Sequence, residues 1–99
     1  MKKHQEELDN WFKENSWHYW NELSILARLM EECGEFARLV NHIHGEKKKR
    51  SDENEQNVEE EIGDILYTLI CYANKNNIDL DSAIKKSFEK VMRRDKERY

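Results

Sequence analysis

Apolar residues recur every three or four positions along most of the chain, which is the spacing of amphipathic α-helices. The pattern predicts a first helix from about Lys3 to Lys13 and a long second helix that ends near Gly45. A polar segment, residues 46–54, separates these from a third helix that runs to a turn at residues 74–77, and a fourth helix follows. The predicted fold class is therefore all-α.

Residue types near the predicted helix ends and the low content of helix breakers support this interpretation. Ser51 and Asp52 are good N-caps for the third helix, and Asp79 or Asp81 can cap the fourth. The chain has no proline and three glycines among 99 residues, which fits helices better than a sheet. Its length is that of one domain, so we expect a single helical domain over residues 1–99.

Each of the three later helices carries an apolar stripe that we expect to face the core. In the second helix the stripe is Leu23, Leu26, Met30, Cys33, Ala37 and Val40. In the third it is Val58, Ile62, Ile65, Leu66, Leu69 and Ala73, and in the fourth Ala83, Ile84, Phe88 and Val91. Other apolar residues lie beyond these stripes, namely Leu29, Phe36, Leu39, Ile70 and Tyr72. The surplus predicts a homo-oligomer.

Two similar tetrapeptides lie within the second and third helices, Glu-Cys-Gly-Glu at residues 32–35 and Glu-Ile-Gly-Asp at residues 61–64. Acids at i and i+3 lie about 60° apart around a helix, so each tetrapeptide presents two neighbouring carboxylates. Four converging carboxylates repel one another unless a cation intervenes, and a hard divalent ion is the obvious candidate. Gly34 and Gly63 point away from the acids, where they would permit close helix approach within the chain or across a dimer interface.

Charge and cysteine content limit the location and the partners. With 17 basic and 21 acidic residues, the net charge of −4 offers nucleic acid no general attraction. The chain has no signal peptide and no apolar run of about 18 residues, so we expect a cytoplasmic protein without membrane attachment. Cys33 and Cys71 both fall among aliphatic residues on predicted helices, and we expect both to be buried, reduced thiols.

The acidic motifs resemble those of a known group, the MazG-like members of the all-α nucleoside triphosphate pyrophosphohydrolase superfamily. The signature of that family is Glu-Glu-x-x-Glu followed by Glu-x-x-Asp, and residues 31–35 and 61–64 match its two halves. The flanking segments 26–29 and 65–67 are also similar, and the resemblance extends from about residue 20 to residue 99. Ser87 departs from the pattern, since relatives often carry an asparagine there, and the base or sugar preference stays open.

The resemblance implies a four-helix, MazG-like bundle completed by homo-oligomerisation, as a homodimer or a dimer-of-dimers tetramer. It also implies Mg²⁺-dependent hydrolysis of a nucleoside triphosphate to the monophosphate and pyrophosphate, with Mn²⁺ as a substitute ion and nucleotide-pool housecleaning as the role. The implied metal ligands are Glu32, Glu35, Glu61 and Asp64. Glu35 and Glu31 are the implied catalytic residues, Glu31 through water activation or from the second shell, and the implied phosphate-binding residues are Lys90, Arg93 and Arg94.

Three alternatives stay open at the level of sequence. The chain could be a non-catalytic dimerisation or regulatory module that binds metal and nucleotide. A di-iron carboxylate bundle fits less well, because its pattern requires Glu-x-x-His on two helices and neither tetrapeptide ends in histidine. Trp17, Tyr19 and Trp20 could stack on a nucleotide base or could pack beneath the segment that connects the first two helices.

Overall fold

The computed structural model describes residues 1–45 and 57–98. Within these residues it has four α-helices and no strand, which confirms the all-α prediction. The helices are α1 (Lys2–Glu14), α2 (Glu22–His44), α3 (Val58–Lys75) and α4 (Leu80–Arg98). The polar segment at 46–54 and the predicted caps Ser51 and Asp52 lie outside the described residues.

The start of α4 distinguishes between its two candidate caps. The side chain of Asp79 accepts a hydrogen bond from the backbone N–H of Asp81 at 2.9 Å, so Asp79 is the residue that caps the helix. Asp81 has another role, because its carboxylate accepts a hydrogen bond from the backbone N–H of Lys2 at 3.0 Å. One acid in the first turn of α4 thereby satisfies a free donor at the start of α1.

Gly45 ends α2, as predicted, but without the left-handed backbone that often favours glycine there. Its φ is −97°, and its N–H donates to the carbonyl of Asn41 at 2.8 Å. A Cβ at this position would clash with the side chain and the carbonyl of Asn41. Crowding against the last turn of the helix, rather than backbone conformation, therefore makes glycine suitable here.

The chain divides into two compact units, one formed by residues Met1–Tyr19 and Ala73–Tyr99 and the other by residues Trp20–Tyr72. Buried Gln5 on α1 holds the first unit together. Its amide donates to the side chain of Asn74 at 3.1 Å and to the carbonyl of Ile78 at 2.8 Å, while its oxygen accepts from the N–H of Leu80 at 3.0 Å. One side chain thus satisfies polar groups at the end of α3 and at the start of α4.

Aromatic side chains cover the other end of α1. The ring of Tyr19 stacks on buried Phe12 with centroids 4.4 Å apart, and Trp17 lies edge-on to Trp11 at 4.6 Å. The Tyr19 hydroxyl donates to Asp9 at 3.2 Å. These contacts confirm the packing interpretation for Trp17 and Tyr19.

The buried face of α2 is not the predicted stripe. Ile25 and Glu32 are buried, and the half-buried apolar residues beside them are Leu29, Phe36 and Leu39. The predicted stripe is exposed instead, with Leu23 79% and Met30 66% accessible. The two sets differ by one residue, which is a rotation of about 100° around the helix. The prediction was wrong because α2 has two neighbouring apolar faces with the same periodicity. The spacing alone does not show which of them packs against other helices of the chain and which stays exposed.

The stripes of α3 and α4 also differ from the prediction. On α3, Ala73 is buried and Val58 and Ile65 are half-buried, but Ile62, Leu66 and Leu69 are exposed. All four residues predicted to face inward from α4 are exposed, namely Ala83, Ile84, Phe88 and Val91. The prediction of buried cysteines holds for Cys71 and is wrong for Cys33, which is exposed on the uncovered face of α2.

Gly34 and Gly63 do not serve helix packing within the described chain. A Cβ built on either glycine would meet nothing within 4 Å. The prediction that these glycines permit close helix approach within the chain is therefore wrong for the described residues. Close approach across a dimer interface stays a prediction.

None of the helices in the described residues is both long enough and apolar enough to cross a membrane.

We expect Gln5→Ala to lower the free energy of unfolding by about 2–4 kcal/mol, because it removes the partner of three part-buried groups: the side chain of Asn74, the carbonyl of Ile78 and the N–H of Leu80. Urea denaturation followed by circular dichroism measures the change. The matched control is Glu6→Ala on the exposed side of the same helix turn, for which we expect a change within about 0.5 kcal/mol. Equal stability of the two variants would contradict the role assigned to Gln5.

Candidate metal centre

Helices α2 and α3 bring three carboxylates together within the second unit. Glu32, Glu61 and Asp64 each offer an oxygen, and these oxygens all lie within 4.8 Å of one another. Glu32 is 3% exposed and Glu61 is fully buried, whereas Asp64 is more accessible. Three of the four predicted ligands thus converge, and α3 supplies two of them because Glu61 and Asp64 are one helical turn apart.

The two other acids of the first motif lie at the edge of this cluster. Glu35 is exposed one turn beyond Glu32 and is not part of the three-carboxylate group, although its charge helps to raise the pKa of Glu61. Glu31 is also exposed on α2, and its charge acts on the nearby Arg28. Both are accessible to a ligand from solvent.

The inner oxygens of the cluster receive no hydrogen bond from outside the acidic group. Across residues 1–45 and 57–98, no N–H and no hydroxyl group donates to either oxygen of Glu61 or to Oε2 of Glu32, apart from the proton shared between the Glu32 and Glu61 carboxyls. Burial, as the largest cause, and the adjoining carboxylates of Glu32 and Glu35 together raise the pKa of Glu61 to about 8. Without a cation, Glu61 therefore carries a proton at neutral pH.

Glu32 titrates in the opposite direction. Its pKa is lowered first by the hydrogen bond from the protonated Glu61 carboxyl and then by Arg28. The Nε atom of Arg28 lies 2.6 Å from Oε1 of Glu32, one turn away on α2. The pair shows how one carboxylate stays ionised beside a neutral one.

Sequence reasoning missed two residues of this neighbourhood. Arg28 belongs to the family-like segment 26–29 and has no predicted role there, although its i, i+4 spacing from Glu32 is the usual signal of a helical ion pair. Thr68 is buried, and its hydroxyl donates to the backbone carbonyl of Asp64 at 2.8 Å. A threonine four residues after an acid carries no specific sequence signal, because such bonds depend on the side-chain rotamer.

The predicted phosphate-binding residues belong to the other unit. Lys90, Arg93 and Arg94 lie on α4 with exposed side chains. Their part in substrate binding stays a prediction.

The cluster suits a hard divalent cation. Mg²⁺ and Mn²⁺ prefer carboxylate oxygens and retain water ligands, so one or two protein carboxylates with an open side make a suitable site. The three buried oxygens of Glu32 and Glu61 that no N–H group reaches are a set that a cation can satisfy once Glu61 has released its proton, and Asp64 and Glu35 lie on the accessible side. The residues present therefore fit such an ion.

Comparisons with known proteins identify related chains. A sequence profile of the MazG nucleotide pyrophosphohydrolase domain matches residues 21–99. The Bacillus subtilis protein YpjD, whose function is uncharacterised, is 43% identical over 99 residues, which cover all of this chain and 89% of YpjD. The uncharacterised B. subtilis protein YvdC is 28% identical over 98 residues, covering 89% of this chain and 92% of YvdC.

Two crystal structures resemble the fold closely. That of B. subtilis YpjD gives a TM-score of 0.81 at 42% identity, covering 92% of this chain and 91% of the other. That of the Bacillus-conserved MazG protein, a nucleotide pyrophosphohydrolase, gives a TM-score of 0.74 at 40% identity, covering 91% and 86%. The sequence match begins at α2 and includes both acidic motifs.

We expect the stability of the metal-free protein to fall as pH rises from about 5 to about 8. The unfolded chain releases the Glu61 proton near the ordinary pKa of 4.5, whereas the folded chain holds it up to about 8, so rising pH favours unfolding across this window. Glu32, whose pKa is lowered, contributes stability that is lost only at more acidic pH. Urea denaturation in chelator at pH 5.5, 6.5 and 7.5 measures the trend.

Glu61→Gln removes the titrating group and should flatten this dependence. Glu59→Gln is the matched control, because it makes the same change at an exposed position of the first turn of α3. The control should keep the pH dependence of the unmodified chain. A flat profile in the unmodified chain would contradict the protonated state of Glu61.

Proposed function

Because the chain belongs to the MazG nucleotide pyrophosphohydrolase family, we propose that it hydrolyses nucleoside triphosphates in a Mg²⁺-dependent reaction. The products are the nucleoside monophosphate and pyrophosphate, so the bond that breaks joins the α-phosphorus to the oxygen that bridges it to the β-phosphorus. The observation that carries the proposal is the cluster of Glu32, Glu61 and Asp64, in which the two buried residues Glu32 and Glu61 have three oxygens that no N–H group reaches. Such a cluster is costly without a cation.

In this proposal Glu32, Glu61 and Asp64 hold the ion, and Glu35 completes the ligand set from the accessible edge. Mg²⁺ is the expected ion and Mn²⁺ a substitute. When bound, the ion neutralises charge on the triphosphate and makes water a better nucleophile at neutral pH. Glu61 must release its proton before it can act as a ligand, since a protonated carboxyl is a poor one.

The remaining residues act on the water and on the phosphates. Glu35 and Glu31 are exposed acids on α2, and we assign the removal of a proton from the attacking water to Glu31, while Glu35 acts in catalysis as a ligand of the ion. Arg28 keeps Glu32 ionised by its 2.6 Å contact. The cations of α4 stabilise the negative charge of the leaving pyrophosphate, and they are Lys90, Arg93 and Arg94.

The proposed biological role is housecleaning of the nucleotide pool in the cytoplasm. The support for the role is family membership. The free thiols of Cys33 and Cys71 fit a reducing compartment.

A homo-oligomer is also part of the proposal. Exposed apolar side chains lie on all four helices, for example Trp11 on α1, Leu23 and Met30 on α2, Leu66 on α3 and Phe88 on α4. A helix that leaves large apolar residues in water gains stability when another molecule covers them. We propose a homodimer, or a dimer-of-dimers tetramer, in which a second copy completes the helical bundle.

The activity is tested by pyrophosphate release from ribo-, deoxyribo- and modified nucleoside triphosphates, with Mg²⁺ and with chelator. We expect Mg²⁺-dependent turnover that falls by at least about 100-fold in Glu61→Gln and in Asp64→Asn, because each loses a charged ligand. Glu59→Gln should retain activity, and all variants should keep the helical circular-dichroism signal.

The outcome that contradicts this proposal is also specific. Metal-dependent nucleotide binding without turnover of any substrate would identify the non-catalytic module. Equal activity of Glu61→Gln and Glu59→Gln would show that the buried cluster does not hold the catalytic ion.

The oligomer is tested by sedimentation velocity between about 1 and 100 µM, a range in which stable dimers and weak ones separate. We expect a dimer or tetramer throughout. A chain that sediments as a monomer at the highest concentration would rule out the assembly without deciding the activity.

A further inference from the structure

A basic residue, Arg28, contacts the acids of the candidate metal centre. Its Nε atom lies 2.6 Å from Oε1 of Glu32, which is one turn later on α2. The hydrogen bond to Glu32 is the main cause that raises the pKa of Arg28, and the charges of Glu31 and Glu35 contribute to the rise. The guanidinium group is therefore close to all three acids of the first motif.

The geometry of α2 explains this position. Relative to Glu32, Arg28 is rotated by about 40° around the helix and Glu35 by about 60° in the same direction, so the three residues form one stripe. Glu32 is the buried member of this stripe, whereas Arg28 and Glu35 are exposed. Arg28 thus lies beside the accessible side of the cluster, from which a substrate would reach a bound ion.

Most hydrogen-bond donors of Arg28 remain available. A guanidinium group has five N–H donors, and the contact with Glu32 uses the one on Nε. Within residues 1–45 and 57–98 the structure gives Arg28 this one hydrogen bond, so the N–H groups of its two terminal nitrogens have no acceptor there. The side chain is 50% exposed. These terminal donors are therefore accessible to a ligand from solvent.

The charge of the metal centre makes a cation useful to a triphosphate. Five carboxylates lie in the cluster or at its edge, namely Glu31, Glu32, Glu35, Glu61 and Asp64. One divalent ion offsets only part of their charge, and the rest repels phosphate groups. The described part of the second unit has two arginines and no lysine, and of these Arg28 contacts the cluster through Glu32.

The chemistry of a guanidinium group also suits a phosphate. Its planar, always charged fork can donate parallel hydrogen bonds to two oxygens of one phosphate group. Buried Glu32 already holds the Nε edge of Arg28, so less side-chain freedom is lost when the terminal nitrogens bind a ligand. The same side chain can thus contact a metal-binding carboxylate and a phosphate at once.

We propose that Arg28 binds the triphosphate of the substrate through its terminal nitrogens while its Nε atom holds Glu32. The inference rests on the proposed hydrolase function and adds a substrate-binding residue to it. Lys90, Arg93 and Arg94 belong to the other unit, whereas Arg28 belongs to the unit that contains the acids. Arg28 therefore connects the bound phosphates directly to a ligand of the ion.

Inorganic tripolyphosphate tests this contact without assuming a base. Isothermal titration calorimetry in excess Mg²⁺ measures its binding to the full chain. We expect Arg28→Gln to weaken binding by about 10- to 100-fold, because hydrogen bonds between charged groups are lost. The matched control is Arg38→Gln, which removes the same charge about 15 Å further along α2 and should change the affinity by less than about threefold.

Binding of Mn²⁺ in the absence of phosphate separates a phosphate contact from mere support of Glu32. Electron paramagnetic resonance measures the free ion. The Mn²⁺ affinity of Arg28→Gln should stay within about threefold of that of the unmodified chain, because a bound ion itself opposes the charge of Glu32.

Arg28→Lys is a second variant that preserves the charge beside Glu32 but lacks the planar fork. It should bind Mn²⁺ like the unmodified chain and tripolyphosphate at least about fivefold more weakly. Circular dichroism should show the same helical signal in all variants, so the comparison is made between folded proteins.

Four results would overturn the inference. Equal loss of tripolyphosphate binding in Arg28→Gln and Arg38→Gln would show an effect of net charge alone. A fall in Mn²⁺ affinity as large as that in tripolyphosphate affinity would mean that Arg28 acts only through Glu32. Full tripolyphosphate affinity in Arg28→Lys would exclude the fork, and an unmodified chain that binds no tripolyphosphate would exclude the contact.

Failure of the hydrolase function gives a different result. In that case the unmodified chain releases no pyrophosphate from any nucleoside triphosphate. Normal turnover by the unmodified chain, together with unchanged tripolyphosphate binding in Arg28→Gln, would instead contradict the role of Arg28 and leave the hydrolase function in place.

Discussion

Two carboxyl groups withdrawn from water side by side cannot both remain charged without a compensating cation. Glu32 and Glu61 are in this situation, and the structure accommodates them by leaving a proton on Glu61, whose pKa is about 8, and by pairing Glu32 with Arg28. Acids at the same point of α2 and α3 are difficult to explain as packing, since apolar residues of similar volume would cost less there. The binding of a cation therefore explains the cluster better than a contribution to stability does. Helices α2 and α3 supply all of its acids.

A second constraint is how little apolar surface the chain buries. Among the described residues the buried apolar side chains are few: Phe12, Ile25, Ile70, Cys71 and Ala73. Gln5 holds α1 against the ends of α3 and α4 by hydrogen bonds, which maintain geometry but add modest net stability. Many apolar side chains of the described residues are thus left exposed, where another molecule could cover them, as is common for small chains that assemble.

These two constraints meet on α2. Its inner face carries Glu32, and its outer face, about 100° away, carries the exposed apolar stripe that includes Leu23 and Met30. The acidic motif at residues 31–35 lies near the middle of the helix, so the segment that carries the acids has a covered face and an uncovered one.

The sequence by itself determined the all-α class, the order and approximate bounds of the helices, and the two acidic motifs with their family. These features are local, because helical periodicity and the i, i+3 spacing of acids follow from backbone geometry alone. Only the tertiary structure decided which face of α2 is covered, that Glu35 lies outside the group of three carboxylates, and that Arg28 pairs with Glu32. Burial and pKa depend on which helices meet and at what rotation, and a shift of one residue turns a helix by about 100° and exchanges one apolar face for another.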